Sequence, residues 1–265
     1  MNSKEAKIVG IVNVTPDSFS DGGTLMDLDV CLHYIEKLIQ DGADIIDMGA
    51  ESTRPGASLV SIEEERARIE PILKVYKKHF DTPLSVDTMK SDIARLALDY
   101  GASMINDVTG LTSDSKMIEV LSKYDCSVVI MHMQNRPKNM QDNPSYEDVV
   151  SDVLSFFKHK IEQCQSCKIS NIILDPGIGF GKTVDHNLSI LRHMSQFSEL
   201  GYPLYIGTSR KSFIDKLSPS DVDNRVGGTI SSNILAWMNG AEYFRVHDVF
   251  DMKQAFRVAR AILEQ

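Results

Sequence analysis

Eight short apolar runs, spread along the whole chain and separated by longer segments of helical periodicity, leave few folds open. The runs are IVGIVNV (8–14), DIIDM (44–48), PLSVD (83–87), SMIND (103–107), SVVIMH (127–132), NIILD (171–175), PLYIG (203–207) and YFRVH (243–247). They are nearly continuous in aliphatic residues, as parallel strands buried on both faces are. Leu28, Leu32, Ile35 and Leu38 predict a helix over 27–41. Ser61 and Glu64 have capping-box spacing at the start of a helix over 61–79. Further helices are predicted over 89–100, 115–124, 146–164, 184–196, 210–217 with 227–239, and 251–264. Eight strand–helix units in 265 residues predict a (β/α)8 TIM barrel, with residues 1–265 as a single domain. An open doubly wound sheet would leave two strands over.

The composition narrows function by subtraction. A net charge of −9 argues against nucleic acid and anionic membrane as partners, since both call for a basic face. No apolar stretch reaches membrane-spanning length, and MNSKEAKIVGIVNV lacks the run and cleavage site of a signal peptide. The four cysteines are expected to be reduced thiols of a cytoplasmic protein. Cys164 and Cys167 form a CxxC, but no second pair or histidines stand at zinc-ligand spacing, so the pair reads as a helix end followed by a loop.

Residues 175–183, DPGIGFGKT, end like a phosphate-binding loop, yet the first glycine such a loop needs would fall on Pro176. The alternation of Gly177, Gly179 and Gly181 does not fit a dinucleotide fingerprint either. The glycines must serve another purpose.

A barrel places its chemistry where the strands end. Those ends carry Asn13, Asp47, Asp87, Asn106, Asp107, His132, Asp175, Thr208–Lys211, Arg245 and His247. Taken singly, Asp47, Asp107 and Asp248 read as helix caps or turn residues; the ring as a whole reads as a site. NVTPDSFSDGG (13–23) is a long connection rich in turn formers, with Phe19 at its tip, and suits a lid. ESTRPG (51–56) offers Arg54 as an anion clamp, and SRKS (209–212) opens a helix with Ser, Arg and Lys suited to an anion or a carbonyl oxygen. Arg245 and His247 share strand parity and together suit a phosphate.

In register, NVTPDSFSDGG, ESTRPG, SVDT (85–88), IND (105–107), MHMQ (131–134), DPGIGFGK (175–182), GTSRKS (207–212) and RVHD (245–248) resemble the dihydropteroate synthases of folate biosynthesis over nearly the whole chain. Ala50 stands where many members have Gly. The resemblance implies a transferase on a (β/α)8 barrel that joins 6-hydroxymethyl-7,8-dihydropterin diphosphate to p-aminobenzoate. It implies pterin contacts from Asp87, Asn106, Met131, Asp175, Gly179 and Lys211. Asp175 would read the 2-amino group and N3–H, Asn106 the 2-amino and N1 edge, Asp87 the far N–H, and Lys211 the ring oxygen and N5 side. Gly177 and Gly179 would bring the backbone up to the flat ring. Asn13, Thr53, Arg245 and His247 would hold the diphosphate, with Mg2+ on the Asn13 oxygen. Phe19, Thr53, Pro55, Phe180 and Ser212 would form the p-aminobenzoate pocket. Asp17, Asp21 and Arg54 join Lys211, Arg245 and His247 as catalytic residues, Asp17 and Asp21 through loop closure. The family further implies sulfonamide inhibition and a homodimer built through the last helices.

Overall fold

The computed structural model describes residues 5–15, 28–53, 56–57, 59–135 and 139–264. The strands β1 (Lys7–Asn13), β2 (Ile45–Gly49), β3 (Leu84–Asp87), β4 (Met104–Asp107), β5 (Ser127–Met131), β6 (Ile172–Asp175), β7 (Leu204–Ile206) and β8 (Ala241–Val246) each pair in parallel with the next. β8 returns to β1 through the register Val9↔Arg245, closing the barrel. All eight expected strands are therefore present. The helices are α1 (Leu28–Gln40), α2 (Ile62–His79), α3 (Ser91–Asp99), α4 (Met117–Leu121), α5 (Val149–Ser166), α6 (Val184–Arg192), α7 (Met194–Ser198), α8 (Ser212–Leu217), α9 (Val226–Met238) and α10 (Val249–Leu263).

Side-chain hydrogen bonds set several boundaries. Ser61 caps α2 by accepting the Glu64 N–H at 3.1 Å, while Glu64 turns its own carboxylate to Arg68. Asp148 caps α5 by accepting the Ser151 N–H at 2.7 Å, so this helix starts later than residue 146. The helix expected over 184–196 breaks at His193. There the backbone N–H and ring Nδ1 both lie on the Ser189 carbonyl, at 3.0 and 2.8 Å, and the chain leaves helical geometry. The CxxC does end a helix: the Cys167 N–H closes α5 on the Cys164 carbonyl at 3.0 Å.

Strand parity divides the molecule into two apolar regions. Val9, Ile45, Met104, Val129, Ile173, Tyr205 and Tyr243 cluster inside the barrel. Their strand neighbours, such as Ile8, Ile46, Ile105, Val128, Leu174 and Phe244, face outward into the larger core under the helices. Inward positions recur every second residue. The next inward residues towards the strand ends are Asp47 after Ile45, Asn106 after Met104, Met131 after Val129, Asp175 after Ile173 and Arg245 after Tyr243. The barrel is thus plugged with hydrocarbon below and lined with polar groups above.

The loop after β6 settles what the glycines do. Gly177 adopts φ +71°, and a Cβ there would lie 2.0 Å from the His132 carbonyl oxygen. A side chain there would strike the backbone after β5, so the close packing of the two loops requires glycine. Gly201 also has a left-handed φ, +79°, but open space around it. Replacing Gly201 by Ala should cost only the conformational penalty, about 1 kcal/mol. Gly177→Ala adds a backbone collision and should lose several times more stability in urea unfolding. Equal losses would show that the loop yields freely.

Candidate active site

Arg245 organises the polar layer. Its Nε donates to Asp47 Oδ2 at 2.6 Å and Nη2 to Asp87 Oδ2 at 3.1 Å. Asp47 is completely buried, and also accepts the Ser85 hydroxyl at 2.6 Å and Asn106 Nδ2 at 3.2 Å. Burial raises the Asp87 pKa well above the ordinary carboxylate range; Arg245 opposes the shift and Asp47 adds to it. Burial works against the Arg245 charge, but Asp47 and Asp87 outweigh it and hold the guanidinium protonated.

Asp175 ends β6 and accepts the Gly177 N–H at 2.7 Å. Burial pushes its pKa up to about 6, against the pull of that hydrogen bond and of Lys211, Lys182 and Arg245. Lys211 reaches in from the start of α8, its ammonium 3.9 Å from the centre of the Phe180 ring, a cation–π distance. Burial lowers its pKa to about 8, with Asp175 pulling the other way. Met131 is buried opposite Asp175 in the β5–β6 register. The Gly179 backbone lies beside Lys211 and donates to Asn187 Oδ1 at 2.7 Å. Among the described residues, two buried side-chain polar atoms have no partner: Asn106 Oδ1 and the Tyr205 hydroxyl.

The lysine and threonine that mimic a phosphate loop hold structure together. Lys182 donates to His132 Nδ1 at 3.0 Å, the His132 carbonyl at 3.2 Å and the Phe180 carbonyl at 3.0 Å, tying the β6 loop to the end of β5. Burial depresses both pKa values, Lys182 to about 7 and His132 to about 3. Thr183 forms a reciprocal capping box with His186 at the start of α6.

Several expected contributors sit elsewhere or differently. Arg210 does not face the mouth: it donates to both Asp248 oxygens, at 3.1 and 2.7 Å, and to Asp223 at 2.7 Å. Arg245 is paired with two carboxylates through Nε and Nη2. His247 lies one residue past the end of β8, so strand parity does not fix it; its Nδ1 lies 3.0 Å from the Ser209 hydroxyl. Ser212 is exposed at the first turn of α8, while Asn13, at the end of β1, and Thr53 are half-buried. Asp17, Phe19, Asp21, Arg54 and Pro55 lie outside the described residues.

Of the three acids read as caps or turns, Asp107 is one, accepting from the Thr109 N–H at 2.8 Å and hydroxyl at 2.7 Å. Asp248 stands at the α10 N-cap but gives its carboxylate to Arg210. Asp47 is neither, because β2 continues through it to Gly49 and it points inward. Its parity with Ile45 was the available signal. A second missed cluster lies beside β3. Lys90 bridges Glu51 and Glu65, Thr88 donates to Glu65 at 2.7 Å, and Glu51 accepts the Val60 N–H at 3.0 Å. These bonds tie together the two ends of the segment that contains ESTRPG.

The mouth therefore offers an acceptor-rich wall with two cations against it, suited to a flat heterocycle with several N–H groups. Comparison with known proteins points the same way. Residues 9–247 match the family model for pterin binding enzymes. The dihydropteroate synthase of Clostridium beijerinckii is 43% identical over 97% of this chain and 94% of its own. The dihydropteroate synthase of Yersinia pestis, solved with a sulfonamide drug complex, superposes with a TM-score of 0.93 at 40% identity, covering 100% of this chain and 97% of that one. That of Clostridium difficile, solved in the presence of pteroic acid, gives 0.93 at 44% identity over 99% and 98%. With this likeness extending through fold and site together, the chain belongs to the pterin binding enzymes, in their dihydropteroate synthase branch.

Proposed function

We propose that Asp87, Asn106 and Asp175 grip the donor edge of 6-hydroxymethyl-7,8-dihydropterin diphosphate while Lys211 donates to its ring oxygen and N5 side. The observation that carries this is the unpaired Asn106 Oδ1, a buried acceptor on a residue paired across the sheet with Asp87. Such an atom costs about 1–3 kcal/mol when left unmet. A ligand amino group offsets that cost, and Asp175 takes the same group and the neighbouring N3–H. Met131 and Gly179 flank the ring. Pteroic acid, present with the Clostridium difficile relative, joins a pterin to an aminobenzoate and supports both halves of the site.

Asn13, Thr53, Arg245 and His247 take the diphosphate. Among the described residues no group of three His, Cys, Asp or Glu gathers to hold a metal ion. A single amide oxygen at Asn13 fits Mg2+, which takes few protein ligands when substrate phosphates and water supply the rest. Bound there, the ion would help neutralise the leaving diphosphate.

The electron-rich dihydropterin favours a dissociative reaction. The bond from the exocyclic methylene carbon to oxygen breaks, and its electron pair leaves with the diphosphate. Arg245 and His247 stabilise that charge as it develops. The p-aminobenzoate nitrogen then attacks the methylene cation, and its proton passes to water or the departed diphosphate. Phe180 and Thr53 line the second substrate's pocket, where Ser212 takes its carboxylate; Phe19 and Pro55 complete it, Arg54 adds positive charge for the leaving diphosphate, and Asp17 and Asp21 act through loop closure. Sulfonamides, which mimic this substrate, are the expected inhibitors, in keeping with the Yersinia pestis complex.

The chain acts as one domain, as the span of the family match supports. The free thiols suit a cytoplasmic protein, and among the described residues no helix is long and apolar enough to cross a membrane. A homodimer forms through α9 and α10, supported by Leu235 and Met238 on one helix and Phe250, Val258 and Ile262 on the other. All five are exposed, Ile262 at 69%. α9 and α10 pack against each other, and a contiguous apolar surface across them would suit such a contact.

Three outcomes test these assignments. Asp175→Ala or Lys211→Ala should weaken dihydropterin diphosphate binding by about 100-fold in calorimetry; near-native affinity in either would remove it from the pterin site. Because the Asp175 pKa is raised, its acceptor is present above about pH 6 and lost as pH falls through that value. Asp87, raised by burial to about 8, adds a loss that begins as pH falls through that value. Affinity should therefore decline below about pH 8, by about tenfold per pH unit or more below about pH 6, and weaken above about pH 8, where Lys211 loses its proton. A flat profile from pH 5 to 9 would contradict these roles. In light scattering, the chain should have twice its own mass and Val258→Glu/Ile262→Glu half of that; an unchanged mass places the contact elsewhere.

A further inference from the structure

We infer that Asp47, a residue that touches no substrate in this scheme, sets the specificity of the site by fixing which way the Asn106 carboxamide faces. The inference rests on the pterin reading above and deepens it.

An asparagine amide has a donating end and an accepting end, and turning it over exchanges them. At Asn106 the choice is made by its neighbour. Asp47 Oδ2 accepts from Asn106 Nδ2 at 3.2 Å and from Arg245 Nε at 2.6 Å, while Oδ1 accepts the Ser85 hydroxyl at 2.6 Å. A carboxylate paired with a guanidinium only accepts, so the nitrogen end of Asn106 must face it. The oxygen end is thereby left buried and without a partner, and turned to the ligand. The site consequently demands a donor at that point of the heterocycle. A 2-amino group supplies one; a 2-oxo group would set oxygen against oxygen.

Arg245 makes the dependence sharp. Its Nε and Asn106 Nδ2 share one oxygen atom and are therefore close neighbours. Were that oxygen removed, the nearest charge to Asn106 would be a permanent donor, which attracts the amide oxygen. The amide would turn over and present N–H to the ligand. What matters at position 47 is an acceptor rather than a charge. An asparagine there can place its own oxygen towards Arg245 and Asn106 while its nitrogen meets the Ser85 hydroxyl, which accepts as readily as it donates.

The test compares dissociation constants for 6-hydroxymethyl-7,8-dihydropterin and its 2-oxo counterpart, a dihydrolumazine. Effects common to both ligands cancel in the ratio. Wild type should prefer the 2-amino compound. Asp47→Leu, similar in shape but without an acceptor, should lose at least about tenfold of that preference, the worth of one mismatched hydrogen bond. Asp47→Asn should keep it. Asp47→Leu/Asn106→Asp should regain it, since a carboxylate at 106 has no donor end to present. If Asp47→Leu retains the wild-type ratio, or Asp47→Asn loses it, the inference fails while the pterin reading stands. If wild type shows no preference, the pterin reading itself fails. Neutron diffraction of the wild-type protein decides the orientation independently of any variant's folding. Deuterons on the Asn106 atom facing Asp47 are expected; deuterons on the opposite atom overturn the inference.

Discussion

The Arg245 guanidinium, shared between Asp47 and Asp87 inside the barrel, is the interaction on which the mouth depends. Asp47, Asp87 and Asp175 are all buried above a hydrocarbon plug. Removing several carboxylates from water costs several kcal/mol each unless cations and hydrogen bonds compensate. Arg245 compensates two of them and Lys211 stands by the third. The compensation is incomplete, as Asp175 at about 6 and Lys211 at about 8 show, both moved towards neutrality by burial. A site so poised gains from a flat ligand that brings N–H groups to the acids and a carbonyl to the lysine. Unlike water, such a ligand satisfies all of them from one rigid frame.

Much of this was legible in the sequence, because parallel strands advertise themselves. Aliphatic runs ending in Asp87, Asn106, Asp175 and Arg245 gave both the barrel and the ring of polar groups at its mouth. What stayed hidden depends on direction. Asp47 looks like a turn residue when an acid at the end of an apolar run is expected to cap the next helix. The strand instead continues to Gly49, and parity with Ile45 turns the side chain inward. Arg210 failed in the opposite sense. Its place in SRKS is polar and close to the mouth, but its partners Asp223 and Asp248 are distant in sequence, and no local pattern reveals them.

The β6 loop separates motif from mechanism. Lysine and threonine after a glycine-rich turn invite a phosphate-binding interpretation, yet both are consumed internally. Lys182 binds two carbonyls and a ring nitrogen, and Thr183 caps α6. His132, its pKa pushed down to about 3 by burial, stays neutral and can accept at Nδ1 from Lys182, whose own pKa burial lowers to about 7. These bonds hold the loop between Asp175 at its root and Phe180, the two residues proposed to serve different substrates.

The bridge at Lys90 extends this rigidity to the opposite wall. Burial works against its charge, but the hydrogen bonds it donates to Glu51 and Glu65 prevail and raise its pKa. Thr88, between Asp87 and Lys90 in the chain, donates to the same Glu65. The turn at the end of β3 therefore carries Asp87, the acid proposed to face the pterin, and, at Lys90, the clasp on the segment bearing Thr53. Burial is the main cause of the raised Asp87 pKa, with Asp47 and then the Glu65 carboxylate adding to it. The clasp on the segment proposed to line one substrate's pocket thus includes a carboxylate that adds to the shift of the acid proposed to read the other.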